Sequence, residues 1–128
     1  VQTKRVEERD GHIVHVELHV DDTPTFDVVA SLLQSKEQTH ALPSQPTFLM
    51  ECIQSEPSRE EHLWNGQSVN PLNPTVDLKA GMTTTVQLKS VENGVVSFIG
   101  LSHNTIRGAA GGVVLLAELA YLKKYFEQ

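Results

Sequence analysis

The stretch that decides the predicted fold runs from Ser102 to Tyr121 and reads Ser-His-Asn-Thr-Ile-Arg-Gly-Ala-Ala-Gly-Gly-Val-Val-Leu-Leu-Ala-Glu-Leu-Ala-Tyr. It contains no proline, and Asn104 is a good N-cap residue. Lys123 and Lys124 follow it, and lysines suit the negative end of a helix dipole. These features predict one long helix over residues 105–126.

Three glycines lie inside this predicted helix, at Gly108, Gly111 and Gly112. Each costs about 1 kcal/mol relative to alanine in a helix interior. Gly108 and Gly112 are four residues apart and share a face, which indicates that the backbone there lies close to a neighbour. That neighbour is either the sheet or a ligand at the helix N-terminus, where free N–H groups favour anions.

Two stretches of this sequence resemble one known family. Residues 100–111, Gly-Leu-Ser-His-Asn-Thr-Ile-Arg-Gly-Ala-Ala-Gly, resemble the start of the C-terminal helix in aspartate-semialdehyde dehydrogenases of the branch typical of archaea, fungi and some bacteria. Arg5-Val6 followed by Asp10-Gly11-His12 resembles the active-site run of that family. The two matches stand in the family's order, and the middle of the chain matches loosely.

The resemblance implies that residues 1–128 are the C-terminal substrate-binding and dimerisation portion of a two-domain semialdehyde dehydrogenase. The implied fold is the C-terminal domain type of glyceraldehyde-3-phosphate dehydrogenase, and the NADP-binding domain with its nucleophilic cysteine lies outside this chain. No Gly-x-Gly-x-x-Gly run follows a predicted strand here. Cys52 lies in an apolar strand, which predicts a buried structural cysteine.

By the same resemblance, His12 is the general base and Arg5 binds the carboxylate of the substrate. An imidazole suits proton transfer because its ordinary pKa lies near neutral pH, and arginine pairs with carboxylates in a bidentate manner. The two residues are expected to face a common cavity near the N-terminus of the long helix. Asn104 and Gly108 are assigned to the NADP cofactor.

The implied reaction is the NADP-dependent interconversion of aspartyl phosphate and aspartate semialdehyde, in lysine, threonine and methionine biosynthesis. The chain departs from the family near the site. His12 is followed by Ile13-Val14 instead of polar residues, Val86–Lys89 replaces a Gly-Arg-Ile-Arg run, and Asn70–Pro74 replaces Arg-Pro-Gln-Pro-Arg. Two alternatives therefore stay open: a semialdehyde-forming acyl-CoA reductase on the same scaffold, or a non-catalytic dimerisation module.

The first half of the chain predicts a strand and a helix. His12 to Val20 alternates, with Val14, Val16, Leu18 and Val20 on one face and His15, Glu17 and His19 on the other. Thr23-Pro24 predicts the start of a helix that reaches about Lys36. Its apolar stripe is Phe26, Val29, Leu32 and Leu33.

The second half predicts a strand over Thr47–Gln54, a long loop over Ser55–Ala80, and a hairpin of Met82–Ser90 and Val95–Leu101 that turns at Asn93-Gly94. Together the elements predict an α+β fold: an antiparallel-rich sheet with helices on one face and a long C-terminal helix. The other face is predicted to form a homodimer or a dimer of dimers.

Composition excludes several function classes. The net charge is −6 and no Lys/Arg cluster is present, which argues against nucleic acid. No apolar run is long enough for a membrane span, and one cysteine fits a reducing cytoplasm. His15 and His19 would lie about 13 Å apart on a strand, too far to share a metal ion, so we predict no metal site.

Overall fold

The computed structural model describes residues 2–5, 11–34, 41–64 and 78–125, the first of these segments as backbone alone. It confirms the predicted α+β class: an antiparallel-rich sheet and a long C-terminal helical segment. The strands are β1 (Gln2–Arg5), β2 (His12–His19), β3 (Met50–Cys52), β4 (Thr84–Glu92) and β5 (Val95–Ser102). The helices are α1 (Phe26–Leu33), α2 (Arg59–His62), a π-helix (Ile106–Ala110) and α3 (Gly111–Leu122).

The five strands form one sheet in the order β1-β2-β5-β4-β3. All neighbours pair antiparallel except β3 and β4, which pair in parallel. The predicted hairpin of β4 and β5 is confirmed, because Asn93 and Gly94 adopt φ angles of 52° and 73° in its turn. Positive φ at both central residues is what a tight two-residue hairpin requires.

The sheet carries one hydrophobic cluster on each face. The face of even-numbered β2 and β5 residues, here called the His12 face, is covered at one end by α1 through Val29, Val96 and Leu88. On the opposite face, Ile13, Ile99 and Leu101 pack against Leu63, which directly follows α2, with Trp64 beside it. The hydrophobic cluster under helix α1 therefore does not extend to the end of the His12 face where His12 itself lies.

Helix α1 is shorter than the sequence predicts. Thr25, not Thr23, is its N-cap, and its hydroxyl accepts a hydrogen bond from the Val28 N–H at 3.4 Å. The predicted apolar stripe is wrong in part, because Val29 is buried while Phe26 is 44% and Leu32 75% exposed.

The segment between β3 and β4 also differs from its prediction. The strand predicted over Thr47–Gln54 is limited to Met50–Cys52. A short helix, α2, lies in the predicted long loop, because the Ser58 hydroxyl caps it by accepting from the Glu61 N–H at 3.3 Å. Cys52 is half-buried, and its N–H donates to Gln34 Oε1. The predictions at Val6, Asp10, Lys36, Asn70–Pro74 and residue 126 fall outside the described residues.

The C-terminal helix does not begin as an ordinary α-helix. Its first five residues form a π-helix, in which the Ala110 N–H donates to the Thr105 carbonyl at 3.0 Å. The prediction that Asn104 caps this helix is wrong: Thr105 holds the N-cap position, without a side-chain cap bond. Asn104 Oδ1 instead accepts a hydrogen bond from the Gly11 N–H. Such π-helical turns are frequent at functional sites.

The glycines of this segment have different roles from those predicted. A Cβ at Gly108 would meet nothing within 4 Å, so the predicted close contact is wrong there. A Cβ at Gly111 would lie 2.5 Å from Met82 Sδ, and one at Gly112 would lie 2.7 Å from the carbonyl oxygen of Arg107. The close approach to the body of the domain therefore falls at Gly111, since the π-helical turn shifts the residues that follow it.

This difference predicts opposite effects of alanine at two glycines. Gly111→Ala should lower the free energy of unfolding by about 1–3 kcal/mol, because Met82 is fully buried and has little room to move. Gly108→Ala should leave it unchanged or raise it by up to about 1 kcal/mol. Urea unfolding of both variants beside the parent protein measures this contrast. Equal destabilisation would contradict the packing described here.

Helix α3 is held at one point by Glu118, whose carboxylate accepts from the Ser44 N–H at 3.0 Å and the Ser44 hydroxyl at 2.8 Å. Much of its apolar surface is nevertheless exposed: Val113, Val114, Leu116, Tyr121 and Leu122. No helix in the described part of the chain is long and apolar enough to cross a membrane.

Candidate functional site

The turn that leads into His12 is fixed by its contacts. Gly11 has a φ of +90°, and a Cβ there would lie 2.7 Å from Leu63 Cδ1. Its N–H donates to Asn104 Oδ1 at 3.1 Å, which joins the two sequence stretches that carry the family resemblance. Glycine is required here because side chains rarely adopt this φ. The start of β2 is therefore tied to the segment that enters the π-helix.

Strand register determines where the two predicted site residues lie. His12 pairs with Ser102, and Val14 pairs with Gly100 on one side and with Arg5 on the other. Residues that are directly paired, or two apart in one strand, share a face of the sheet. The backbone positions of Arg5 and His12 are thus on the same face, on neighbouring strands. The contacts of the Arg5 side chain are outside the described part of the structure, and its role stays a prediction.

A cavity of about 210 Å³ lies on the His12 face beside His12. It occupies the part of the sheet beyond the cluster that α1 covers, and Phe98 belongs to both regions. The lining residues are His12, Val14, Met50, Thr84, Val86, Phe98, Gly100 and Ser102. Apart from His12, these are apolar residues, a glycine and two hydroxyl residues, so no lysine or arginine is among the described residues of the lining.

The walls of this cavity are not predicted by the motifs of the sequence. Strands β3, β4 and β5 supply most of them, and their order in the sheet cannot be read from local patterns. One signal was present in the sequence, since Gly100 interrupts the strand Val95–Ser102. Glycine inside a strand often marks a place where a ligand or another backbone approaches closely.

Asn104 and Gly108, the two residues assigned to the cofactor, differ in their surroundings. Asn104 is exposed, and its side-chain oxygen Oδ1 accepts the hydrogen bond from the Gly11 N–H. Its side-chain nitrogen Nδ2 makes no hydrogen bond within the described segments. Gly108 is exposed, with open space where a Cβ would stand. Both positions are therefore accessible from outside the domain. The side-chain amide of Asn104 can donate a hydrogen bond to an incoming group, and the open space at Gly108 can admit a planar group.

A second histidine lies close in sequence to this site but on the other side of the sheet. His103 is 5% exposed, and its ring contacts Trp64 edge to face with centroids 4.3 Å apart. Its Nδ1 is 3.1 Å from the Thr105 hydroxyl, and its carbonyl oxygen accepts from the Gly108 N–H. These contacts give His103 a structural role, in which it holds α2 and the π-helix against the sheet.

A larger groove of about 350 Å³ lies elsewhere, along residues 41–47 and Lys79. None of the predicted site residues lines it. Among the described residues, no group of three or more histidine, cysteine or carboxylate side chains is arranged to hold a metal ion. The cavity beside His12 is therefore the site with which the motif-based predictions can be compared.

Comparison with known proteins gives a partial similarity. No protein-family model matches the chain. The chain is 49% identical over 49 residues to malonyl CoA reductase (NADP) from Metallosphaera sedula. That match covers 38% of this chain and 14% of the relative. Part of the chain is thus similar to part of an NADP-dependent reductase.

Proposed function

We propose that this chain is the C-terminal, substrate-binding portion of an NADP-dependent reductase that interconverts an activated acyl group and a semialdehyde. The observation that carries the proposal is the bond between Gly11 and Asn104, which brings both family-like stretches to one place beside His12. The partial identity to an NADP-dependent reductase supports the same class. The chain alone is expected to be inactive, because its single cysteine, Cys52, is not among the described residues that line the cavity beside His12.

In the proposed reaction, the thiol of a cysteine in an upstream domain attacks the carbonyl carbon of the acyl donor, so that a thioester forms and phosphate or coenzyme A leaves. His12 accepts the thiol proton and returns a proton to the oxygen of the thiohemiacetal, and Arg5 holds the distal carboxylate. NADP supplies the hydride chemistry, and the exposed positions of Asn104 and Gly108 fit an approach of its nicotinamide end. Most of the cofactor would be held by the upstream domain.

The exposed side of α3 supports an upstream domain. A helix that is apolar on all sides is normally buried. In α3, Val113, Leu116 and Tyr121 are each at least 65% exposed. The relative is also much longer than the matched stretch. We propose that an NADP-binding domain preceding residue 1 covers this helix, in a cytoplasmic enzyme.

A homodimer, or a dimer of dimers, is part of the same proposal. The resemblance implies that this domain builds the dimer through the face of the sheet that carries His15, Glu17 and His19. Glu17 and His19 are exposed on that face, which makes the proposed interface polar.

Two acyl donors are compatible with this scheme. The family resemblance favours aspartyl phosphate, with aspartate semialdehyde as product. A coenzyme A thioester is favoured by two other observations: the relative is named a malonyl CoA reductase, and the described residues that line the cavity beside His12 include no lysine or arginine that would bind a phosphate. At the position of the family's Gly-Arg-Ile-Arg run, Val86 and Leu88 are buried apolar residues and Lys89 is exposed.

A substrate panel tests the proposed function in the full-length protein. Oxidation of aspartate semialdehyde with phosphate and NADP is compared with reduction of dicarboxylic acyl-CoA thioesters by NADPH. Turnover of either pair supports the reductase proposal and identifies the donor. A protein that folds and turns over neither pair would leave the dimerisation module as the better description.

A further inference from the structure

The missing side chain at Gly100 is not explained by the packing of the sheet. Gly100 is buried in the middle of β5, and its φ is not positive. A Cβ there would meet only Val14 Cγ2, at 3.7 Å, which is ordinary van der Waals contact. Glycine within a strand weakens the strand by roughly 0.5–1 kcal/mol relative to alanine. Neither backbone conformation nor crowding therefore requires glycine at this position.

The space above Gly100 belongs to the cavity beside His12. Gly100 pairs with Val14, so it is a diagonal neighbour of His12, at a distance of about 7–8 Å between backbone positions. On the far side of the space are Met50, Val86 and Phe98, all apolar. The absence of a side chain at Gly100 thus leaves open a pocket that extends from His12 to these apolar side chains.

The register also places this pocket relative to Arg5. Arg5, Val14 and Gly100 lie in one row across three strands, with Val14 in the middle. A dicarboxylic acyl chain with its carboxylate at Arg5 and its reacting carbon at His12 would pass over Val14. Any further methylene or branch on that chain would then enter the space above Gly100. The apolar wall suits such groups, since it offers no partner to a charge.

We propose that this cavity receives the aliphatic part of the acyl substrate, and that Gly100 sets the largest acyl group that the enzyme accepts. The proposal rests on the proposed function, because it assumes that the reacting carbon lies at His12. Val86 and Phe98 form the floor of the pocket, and Met50 forms its edge on β3. The acyl size limit is then a property of this domain, independent of whether phosphate or coenzyme A is the acyl acceptor.

Gly100→Ala is the sharpest test, because it places one methyl group in the pocket at ordinary van der Waals distance from Val14. Full-length protein is assayed in the oxidative direction with NADP and three semialdehydes, those of malonate, succinate and glutarate, with saturating acceptor. One methylene in an apolar pocket is worth roughly 10- to 200-fold in kcat/KM. Gly100→Ala should lower kcat/KM by about that factor for the longest semialdehyde that the parent protein oxidises, and leave the shortest within a few-fold. Met50→Ala should shift acceptance towards longer chains.

Ser97→Thr is the matched control, because it adds one methyl group to the same strand on the opposite face. It should leave the order of preference among the three semialdehydes unchanged. Two results would overturn the proposal: a loss of kcat/KM in Gly100→Ala that is equal for all three semialdehydes, or an effect that appears only as a raised KM for NADP or for coenzyme A. Either result would assign the pocket to the cofactor or the acyl acceptor. Parent protein that oxidises neither aspartate semialdehyde nor any of the three contradicts the proposed function itself, whereas parent protein that oxidises aspartate semialdehyde alone, or an active parent with an unaffected Gly100→Ala variant, contradicts the pocket alone.

Discussion

His12→Ala in the full-length protein is expected to lower kcat by 100- to 10,000-fold, the usual cost of removing a general base. KM for the acyl substrate should change little, because this variant retains Arg5, the residue proposed to bind the substrate carboxylate. The reason is structural as well as chemical. His12 opens β2 directly after a glycine turn held by Asn104, so that its position beside the cavity is fixed.

His19→Ala provides the matched control for this variant. His19 lies at the other end of the same strand, on the opposite face, and is exposed. It should retain parent-like kcat and KM, and sedimentation of the variant checks that the dimer proposed on that face is unchanged. Near-parent turnover of His12→Ala on every accepted substrate would show that His12 is not the base, and that the motif records ancestry alone.

Arg5→Ala is expected to act first on substrate affinity. Loss of a bidentate charge pair with the substrate carboxylate should cost at least about 2 kcal/mol, which corresponds to roughly a 30-fold rise in KM. Because the carboxylate also positions the reacting carbon, kcat should fall as well, by a smaller factor. Arg5→Lys should recover only part of the loss, since lysine cannot form the bidentate pair. Steady-state kinetics separate the two parameters.

Two comparisons make the Arg5 prediction specific. Lys4 pairs with His15, so it occupies the opposite face of the sheet, and Lys4→Ala should leave KM unchanged. An aldehyde without a carboxylate should be oxidised equally by the parent protein and by Arg5→Ala. An equal loss on both kinds of aldehyde would indicate that Arg5 stabilises the fold instead of binding substrate.

The elements that the sequence predicts well are those determined by local chemistry. The hairpin follows from Asn93-Gly94, whose positive φ angles few other residue pairs tolerate. Strand β2 follows from its strict alternation. Gly11 is similarly local, because Asp-Gly signals a turn and its φ of +90° needs glycine.

The errors arise where contacts distant in sequence compete with local preference. Asn104 has the chemistry of an N-cap, but the Gly11 N–H, ninety-three positions away, engages its side chain. The helix beyond it then starts with a π-helical turn, which moves the close contact to Gly111. Leu32 belongs to the periodic stripe of α1 but is 75% exposed. The cavity walls were missed for the same reason, since three separate strands bring them together.

The most direct test of the central claim is mass spectrometry of the acyl-enzyme. Full-length protein is mixed with its acyl donor in the absence of NADPH, quenched and digested. The account predicts a thioester on a cysteine outside residues 1–128, formed more slowly in His12→Ala. Cys52, the single cysteine of this chain, should stay unmodified, because it is half-buried in β3 and packs in the hydrophobic cluster under α1. An acyl group on Cys52, or turnover with no acyl-enzyme at all, would contradict the proposed mechanism.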